Sequence, residues 1–313
     1  MHTVGAACGP AQACQSIGVT HSQALPASAA AIMLALCIAW GLNMVAMKLG
    51  TAGISPALQG AMRSAGAALL CWLWCRLRGV PLAPLLGASL LPGLAVGVIF
   101  GLEFGAIFIG AGMTSASRAV LFLYAAPFFV AIGAHLLVPG DRMTARAASG
   151  LLVAFAGLAM GLLDGLQAEG SVVGDLLCLI GALGWASTTV VIKATRLRHA
   201  PAEYAMLYQL AVSVPVLLAL SLWLGEPGIF APTPLIWASM AYQTVVVAFA
   251  SYVAWFWLVK RYAASRLSAF SFLTPLFGAL AGWAFLGDQL GPLFILALAL
   301  VSAGILLVNS GPR

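Results

Sequence analysis

The sequence predicts an all-α membrane protein of ten transmembrane helices arranged as two inverted five-helix repeats. Three observations carry that fold class. Of 313 residues, 63% are hydrophobic and only 7% charged, against roughly 25% charged in ordinary globular domains, so there are too few polar groups to cover a soluble surface. Apolar windows of about 20 residues, each able to cross a hydrocarbon core of ~30 Å, recur along almost the whole length. Finally, the chain echoes itself: "SASRAVLFLYAAPFF" at 115–129 returns as "AASRLSAFSFLTPLF" at 263–277. Trp40, Lys48 and Pro56 (W-x7-K-x7-P) likewise return with the same spacing as Trp185, Lys193 and Pro201.

Apolar windows between turn and charge signals place the spans at 28–48, 56–75, 85–109, 116–138, 144–163, 171–193, 201–222, 234–259, 265–286 and 290–309. The first follows a small, polar tail without Lys or Arg and closes at Lys48; the second opens on Pro56 and stops before Arg76 and Arg78. The third is rich in glycine, with Gly97, Gly101 and Gly105 four residues apart, a spacing that lets helices approach closely. The fourth follows Ser117-Arg118 and ends at Gly140-Asp141; the fifth lies between Arg142 with Arg146 and Asp164. The sixth ends on Lys193, the seventh opens at Pro201, and the eighth stops at Lys260-Arg261. The ninth runs from Ser265-Arg266 to Gly287-Asp288, and the tenth follows it directly. Residues 1–27 read as a disordered cytoplasmic tail, 28–164 as the first repeat and 165–313 as the second. A cleaved secretory signal does not fit, because the tail has no positive n-region and the run from Ala29 is too long.

Orientation follows from the basic residues. With the N-terminus inside, Arg76, Arg78, Arg142, Arg146, Lys193, Arg196, Arg198, Lys260, Arg261, Arg266 and Arg313 all face the cytoplasm, eleven of the fourteen Lys and Arg. Both termini are therefore expected on the cytoplasmic side of a bacterial-type inner membrane. Each half has an odd number of spans, so the second copy enters from the opposite side. Inverted repeats of this kind mark carriers that alternate access about a site near the midplane.

The motifs "IAWGLNMVAMK" in the first span and "GWASTTVVIK" in the sixth, with Pro127 and Pro275 in the fourth and ninth, resemble the EamA-type branch of the drug/metabolite transporter superfamily. Within that branch the chain is similar to the YddG-type exporters of aromatic and other amino acids. The resemblance covers everything after the tail. It implies a cavity surrounded by spans 1–4 and 6–9, with spans 5 and 10 peripheral.

Ionisable groups at membrane depth are functional candidates by default. Arg63 and Glu103 are the two well inside spans, at similar depth on neighbouring helices, and are expected to form an ion pair. Such a pair either steadies the outer half or leaves Glu103 to recognise a substrate ammonium or carry a proton. Lys48 and Lys193 either snorkel to opposite surfaces or act as gate groups. Trp40 and Trp185 lie mid-helix, where an indole N–H needs a partner, so with Asn43, Thr188 and Thr189 they are expected to line the cavity. Tyr124, Gln243, Tyr252 and Thr274 join them as substrate-cavity candidates. Pro127 and Pro275 withhold a bond from the carbonyls of Leu123 and Ser271, making either fixed kinks or moving hinges.

Other function classes fit poorly. The six cysteines (Cys8, Cys14, Cys37, Cys71, Cys75, Cys178) have no metal-ligand spacing, and His135 is the one histidine in a span, without a partner. No phosphate-cradling G-x4-G-K-[ST] loop appears. The net charge of +6 is spread thinly and forms no basic stripe for nucleic acid. The expectation is a secondary transporter, not an enzyme, without cofactor or metal, exporting amino acids through a monomer whose only other partner is membrane lipid. Efflux of lipophilic cations and a non-transport intramembrane role are the alternatives.

Overall fold

A computed structural model describes residues 25–114, 116–161, 163, 171–286 and 293–310. Expectations for the first 24 residues, and for Asp164, Gly287, Asp288 and Arg313, lie outside the described residues. Because hydrocarbon offers backbone N–H and C=O groups no partners, an apolar chain must satisfy them within each segment. The chain accordingly folds into helices: α1 (Ala27–Thr51), α2 (Pro56–Leu77), α3 (Leu90–Met113), α4 (Ala116–Leu123), α5 (Ala126–Leu137), α6 (Ala145–Gly161) and α7 (Val172–Ala194). These are followed by α8 (Ala202–Trp223), α9 (Pro234–Ala241), α10 (Tyr252–Arg261), α11 (Ala264–Phe270), α12 (Leu273–Leu286) and α13 (Phe294–Asn309). Short 3₁₀ turns at Ala83–Leu86 and Arg196–Arg198 lie between them.

Among the described residues, seven segments are long and apolar enough to span a membrane. Against the ten expected spans, α2 falls short in hydropathy because Gln59, Arg63 and Ser64 interrupt it, and α6 and α13 fall short in length at 17 and 16 residues. The third span starts later than expected, at Leu90, the preceding residues forming a 3₁₀ turn.

The expected fourth and ninth spans are each broken just ahead of their proline. Between α4 and α5 the chain turns at Tyr124 and Ala125, with Ala125 N–H bonding only three residues back to Phe122 at 3.2 Å. Between α11 and α12 it turns at Ser271 and Phe272, with Ser271 N–H bonding to the carbonyl of Ser268 at 3.0 Å. Proline alone does not produce this, since Pro215 sits inside an unbroken α8. The eighth span is also irregular. From Pro234 to Arg261 it is one continuous rod, but Tyr242–Ser251 winds as a π-helix between α9 and α10, a wide and rare winding frequent at functional sites.

Glycine sets the spacing of the central helices. An added Cβ at Gly93, Gly97, Gly101 or Gly105 of α3 would lie 2.2, 2.4, 2.6 or 2.7 Å from Tyr208, Val212, Val216 or Leu220 of α8. Four contacts at a constant offset mean that the two helices run parallel, each glycine a socket for one α8 side chain. On its other flank α3 runs antiparallel to α7, where Gly110 meets Gly174 and Gly181 meets Ile107. Gly150, Gly157 and Gly304 bring α6 and α13 together in the same way. One continuous core links both ends of the chain, from Met33 in α1 through Leu151 and Phe256 to Val301 in α13.

Polar staples hold the helix ends. Glu226 accepts from the N–H groups of Ala57 (2.9 Å) and Leu58 (3.0 Å) at the start of α2 and from the Ser221 hydroxyl at 2.6 Å. Beside it, Ser55 accepts from Gly228 N–H at 3.0 Å, and a single antiparallel bridge pairs Ile54 with Ile229. Elsewhere the Tyr204 and Tyr208 hydroxyls donate to the carbonyls of Pro81 and Leu85, and Thr114 donates to Asp175 at 2.8 Å.

Candidate functional site

A cavity of about 340 Å³ lies among α1, α2, α3, α4, α7, α8 and the second half of the Pro234–Arg261 rod. Of the sequence candidates, Trp40, Asn43, Glu103, Tyr124, Trp185, Thr188, Thr189 and Tyr252 line it, as does Arg63. All nine are polar or amphipathic side chains within otherwise apolar spans, the signal that singled them out.

The walls are aromatic. Trp40 stands edge-on to Trp255 (centroids 5.6 Å, 71°), and Tyr124 edge-on to Trp185 (5.7 Å, 87°), the geometry that the ring quadrupole favours. The Trp40 N–H has its partner in the Ser251 hydroxyl at 2.8 Å. Ser251 in turn donates to the carbonyl of Val247, so the π-helical turn supplies the acceptor for the half-buried indole. Phe100, Phe104, Phe108, Trp255 and Phe256 add further aromatic rings to the lining. The sequence did not mark them, because aromatic residues in an apolar helix read equally as core. Thr188 and Thr189 both donate to the carbonyl of Trp185, at 2.8 and 3.1 Å, leaving their oxygens as acceptors.

Arg63 and Glu103 are 2% and 8% exposed and share this cavity. The direct ion pair expected between them is not made. Nε and Nη2 of Arg63 and Oε2 of Glu103 have no hydrogen-bond partner in the protein. The guanidinium instead covers the Phe104 ring, 4.3 Å from its centroid. Glu103 is seated by Gly184 of α7, where an added Cβ would come 2.8 Å from the Glu103 Cβ. Two amide oxygens of residues that line the same cavity, Asn43 Oδ1 and Gln209 Oε1, are also unpartnered. Gln209 escaped the sequence reading, although an amide within an apolar run is the signal that picked out Gln243.

Two expected lining residues belong elsewhere. Gln243 faces α1 and α2 and not the cavity: it accepts from Gln59 Nε2 at 2.9 Å and donates to the Ala46 carbonyl at 3.3 Å. A buried amide pair of this kind satisfies the Gln243 side chain and cross-links three segments, which is why an in-span glutamine was misread as a substrate group. Thr274 is fully buried behind the wall, against Tyr124 and Cys37. It is the second residue of α12, directly after the break at Ser271 and Phe272.

The two equivalent lysines have different environments. Lys48 is exposed, as a snorkelling residue should be. Lys193 is 5% exposed and does not reach water. Its Nζ donates to the carbonyls of Val259 (3.1 Å) and Tyr262 and lies 3.9 Å from Asp141 Oδ2. Asp141 follows Gly140, whose φ of +86° turns the chain back. It also accepts from Ala264 N–H at 2.7 Å and the Ser265 hydroxyl at 2.7 Å. This network adjoins the Ile192 and Val259 end of the cavity and joins α5, α7, α10 and α11. The sequence singled out each residue in its Gly-Asp, Lys and Ser-Arg echoes without bringing them together.

The described residues hold no cluster of three or more His, Cys, Asp or Glu able to bind a metal ion. His135 accepts from Met143 N–H at 3.2 Å, and Cys37, Cys71, Cys75 and Cys178 are free and buried.

Comparison with known proteins adds the following. The profile described as the EamA-like transporter family matches residues 27–163 and again 172–310. An uncharacterized transporter of Bacillus subtilis (strain 168), YvbV, is 28% identical over 292 residues, covering 91% of this chain and 93% of its own. A probable amino-acid metabolite efflux pump of Escherichia coli (strain K12) is 26% identical over 293 residues, covering 90% of this chain and 95% of its own. A solved crystal structure at 22% identity superposes with a TM-score of 0.76 over 90% of this chain and 96% of that one, a likeness of fold.

Proposed function

For this chain, which belongs to the EamA-like transporter family and is a multi-pass membrane transporter, we propose export of small organic metabolites, amino acids foremost, by alternating access. The observation that carries this reading is the cavity of about 340 Å³ itself, lined from both matched segments of the chain. That volume sits at the small end of the ~300–1,000 Å³ usual for small-molecule sites. Its aromatic walls suit an apolar or aromatic side chain, and Arg63 and Glu103 offer one charge of each sign. The name of the Escherichia coli relative is in keeping with an amino-acid substrate.

In this reading ten helices form two inverted five-helix repeats, with both termini in the cytoplasm of a bacterial-type cell and a monomer sufficient for transport. The breaks before Pro127 and Pro275 are the paired bends about which the halves rearrange. Efflux of lipophilic cations is supported by Glu103 but opposed by Arg63, which repels a cation in the same cavity.

The test is uptake of a panel of radiolabelled amino acids into proteoliposomes, with and without a proton gradient. Saturable movement of at least one amino acid is expected. No movement of any of them, with transport of a quaternary ammonium dye instead, overturns the amino-acid reading.

A further inference from the structure

Resting on the amino-acid reading above, we infer that Arg63 and Glu103 divide a zwitterion between them, Arg63 binding the substrate carboxylate and Glu103 its ammonium. Both side chains are more than nine-tenths buried and line the cavity, and each presents atoms that the protein leaves unpartnered. Burying an ion without a partner costs several kcal/mol, so such groups are kept where something else satisfies them. The two unpartnered nitrogens of Arg63, Nε and Nη2, lie along one edge of the guanidinium. That edge fits a carboxylate with two parallel bonds. Phe104 backs the flat face of the group and fixes the direction of the edge. Glu103 Oε2, in the same cavity, accepts from an ammonium. The unpartnered amide oxygens of Asn43 and Gln209 are acceptors and so serve the ammonium as well, never the carboxylate. The charges in the cavity then sum to zero only when the ligand itself is neutral overall. Substrates of net charge are disfavoured, including those with charged side chains.

The experiment is competition against radiolabelled L-phenylalanine on the purified full-length protein. The competitors are phenylalaninamide, which lacks the carboxylate, and 3-phenylpropionate, which lacks the ammonium. Each analogue should bind about 10- to 100-fold more weakly than phenylalanine, the value of one or two bonds to a charged group. In Arg63→Gln the penalty on the amide should disappear while that on phenylpropionate stays. In Glu103→Gln the pattern should reverse. Analogues that compete as well as phenylalanine, or penalties that fail to separate between the two variants, overturn the inference while leaving amino-acid transport standing. A wild-type protein that neither binds nor moves any amino acid overturns both readings. Binding of other amino acids but not phenylalanine overturns the aromatic-wall part. Should either variant fail to fold, the analogue series on the wild type and on Arg63→Lys or Glu103→Asp decides the matter.

Discussion

Replacing Gly97 with alanine tests whether the α3–α8 contact positions the cavity. The new Cβ would lie 2.4 Å from Val212 Cβ and 2.5 Å from the Tyr208 carbonyl oxygen. Comfortable separations are ~3.5–4.0 Å, so the helices must part by about 1 Å, and the backbone oxygen cannot rotate away. Overpacking of this kind costs about 1–3 kcal/mol, from which the helix preference of alanine over glycine returns roughly 0.5–1. The net is a loss of about 0.5–2 kcal/mol. Gly105→Ala is the control on the same face, since its Cβ meets only Leu220 Cδ2 at 2.7 Å, with the next atom at 3.9 Å. A leucine methyl can swing aside, so this variant should equal or exceed the wild type in stability. Thermal unfolding of the two purified variants in one detergent gives the comparison, with Gly97→Ala melting lower. Because α3 carries Phe100, Glu103 and Phe104 into the cavity, Gly97→Ala should also lose transport more severely. Equal melting temperatures for the two variants, or a Gly97→Ala protein more stable than wild type, would refute the reasoning.

Three further outcomes follow from the same geometry. Asp141→Ala leaves Lys193 without its counter-ion and Ala264 N–H and the Ser265 hydroxyl without their acceptor, and should destabilise the fold by about 3–5 kcal/mol in denaturation; an unchanged midpoint would show that the network contributes little. Ser251→Ala strands the Trp40 N–H and should cost ~1–3 kcal/mol, whereas adding it to Trp40→Phe should cost little more, a non-additivity that a double-mutant cycle measures. Pro127→Ala and Pro275→Ala should each fold normally and lose transport in the proteoliposome assay; full activity in both counts against the bends having a role.

Much of this was legible because the membrane makes sequence signals coarse and strong. Helix ends followed from proline and charge, and most cavity polar groups from the rule that a buried charge or amide in an apolar span must have a use. The failures share a cause: a partner far away in sequence decided the outcome. Gln243 found Gln59, and Lys193 found two carbonyls and an aspartate, so neither behaves as its own helix would suggest. The π-helical winding of Tyr242–Ser251 has no sequence signature in "YQTVVVAFAS" that separates it from an α-helix. Arg63 and Glu103 line one cavity, but the guanidinium stacks on Phe104 and the expected pair is not made.

The Asp141–Lys193 pair has a handedness that an ordinary surface ion pair lacks. A surface pair can exchange its acid and base, since water supports either order. Here the lysine meets the carbonyl end of one helix, at Val259 and Tyr262, and the aspartate meets the N–H end of the next, at Ala264. Those ends carry opposite partial charges fixed by the direction of the chain. In the exchanged protein, Asp141→Lys with Lys193→Asp, an ammonium would face N–H donors and a carboxylate would face lone pairs. Charge would be conserved and the pair would still attract, but both its contacts to the helix ends would be repulsive, so the double exchange should be worse than either single loss. The junction between α10 and α11 is thus keyed, and only a reversal of both helices would fit the opposite key.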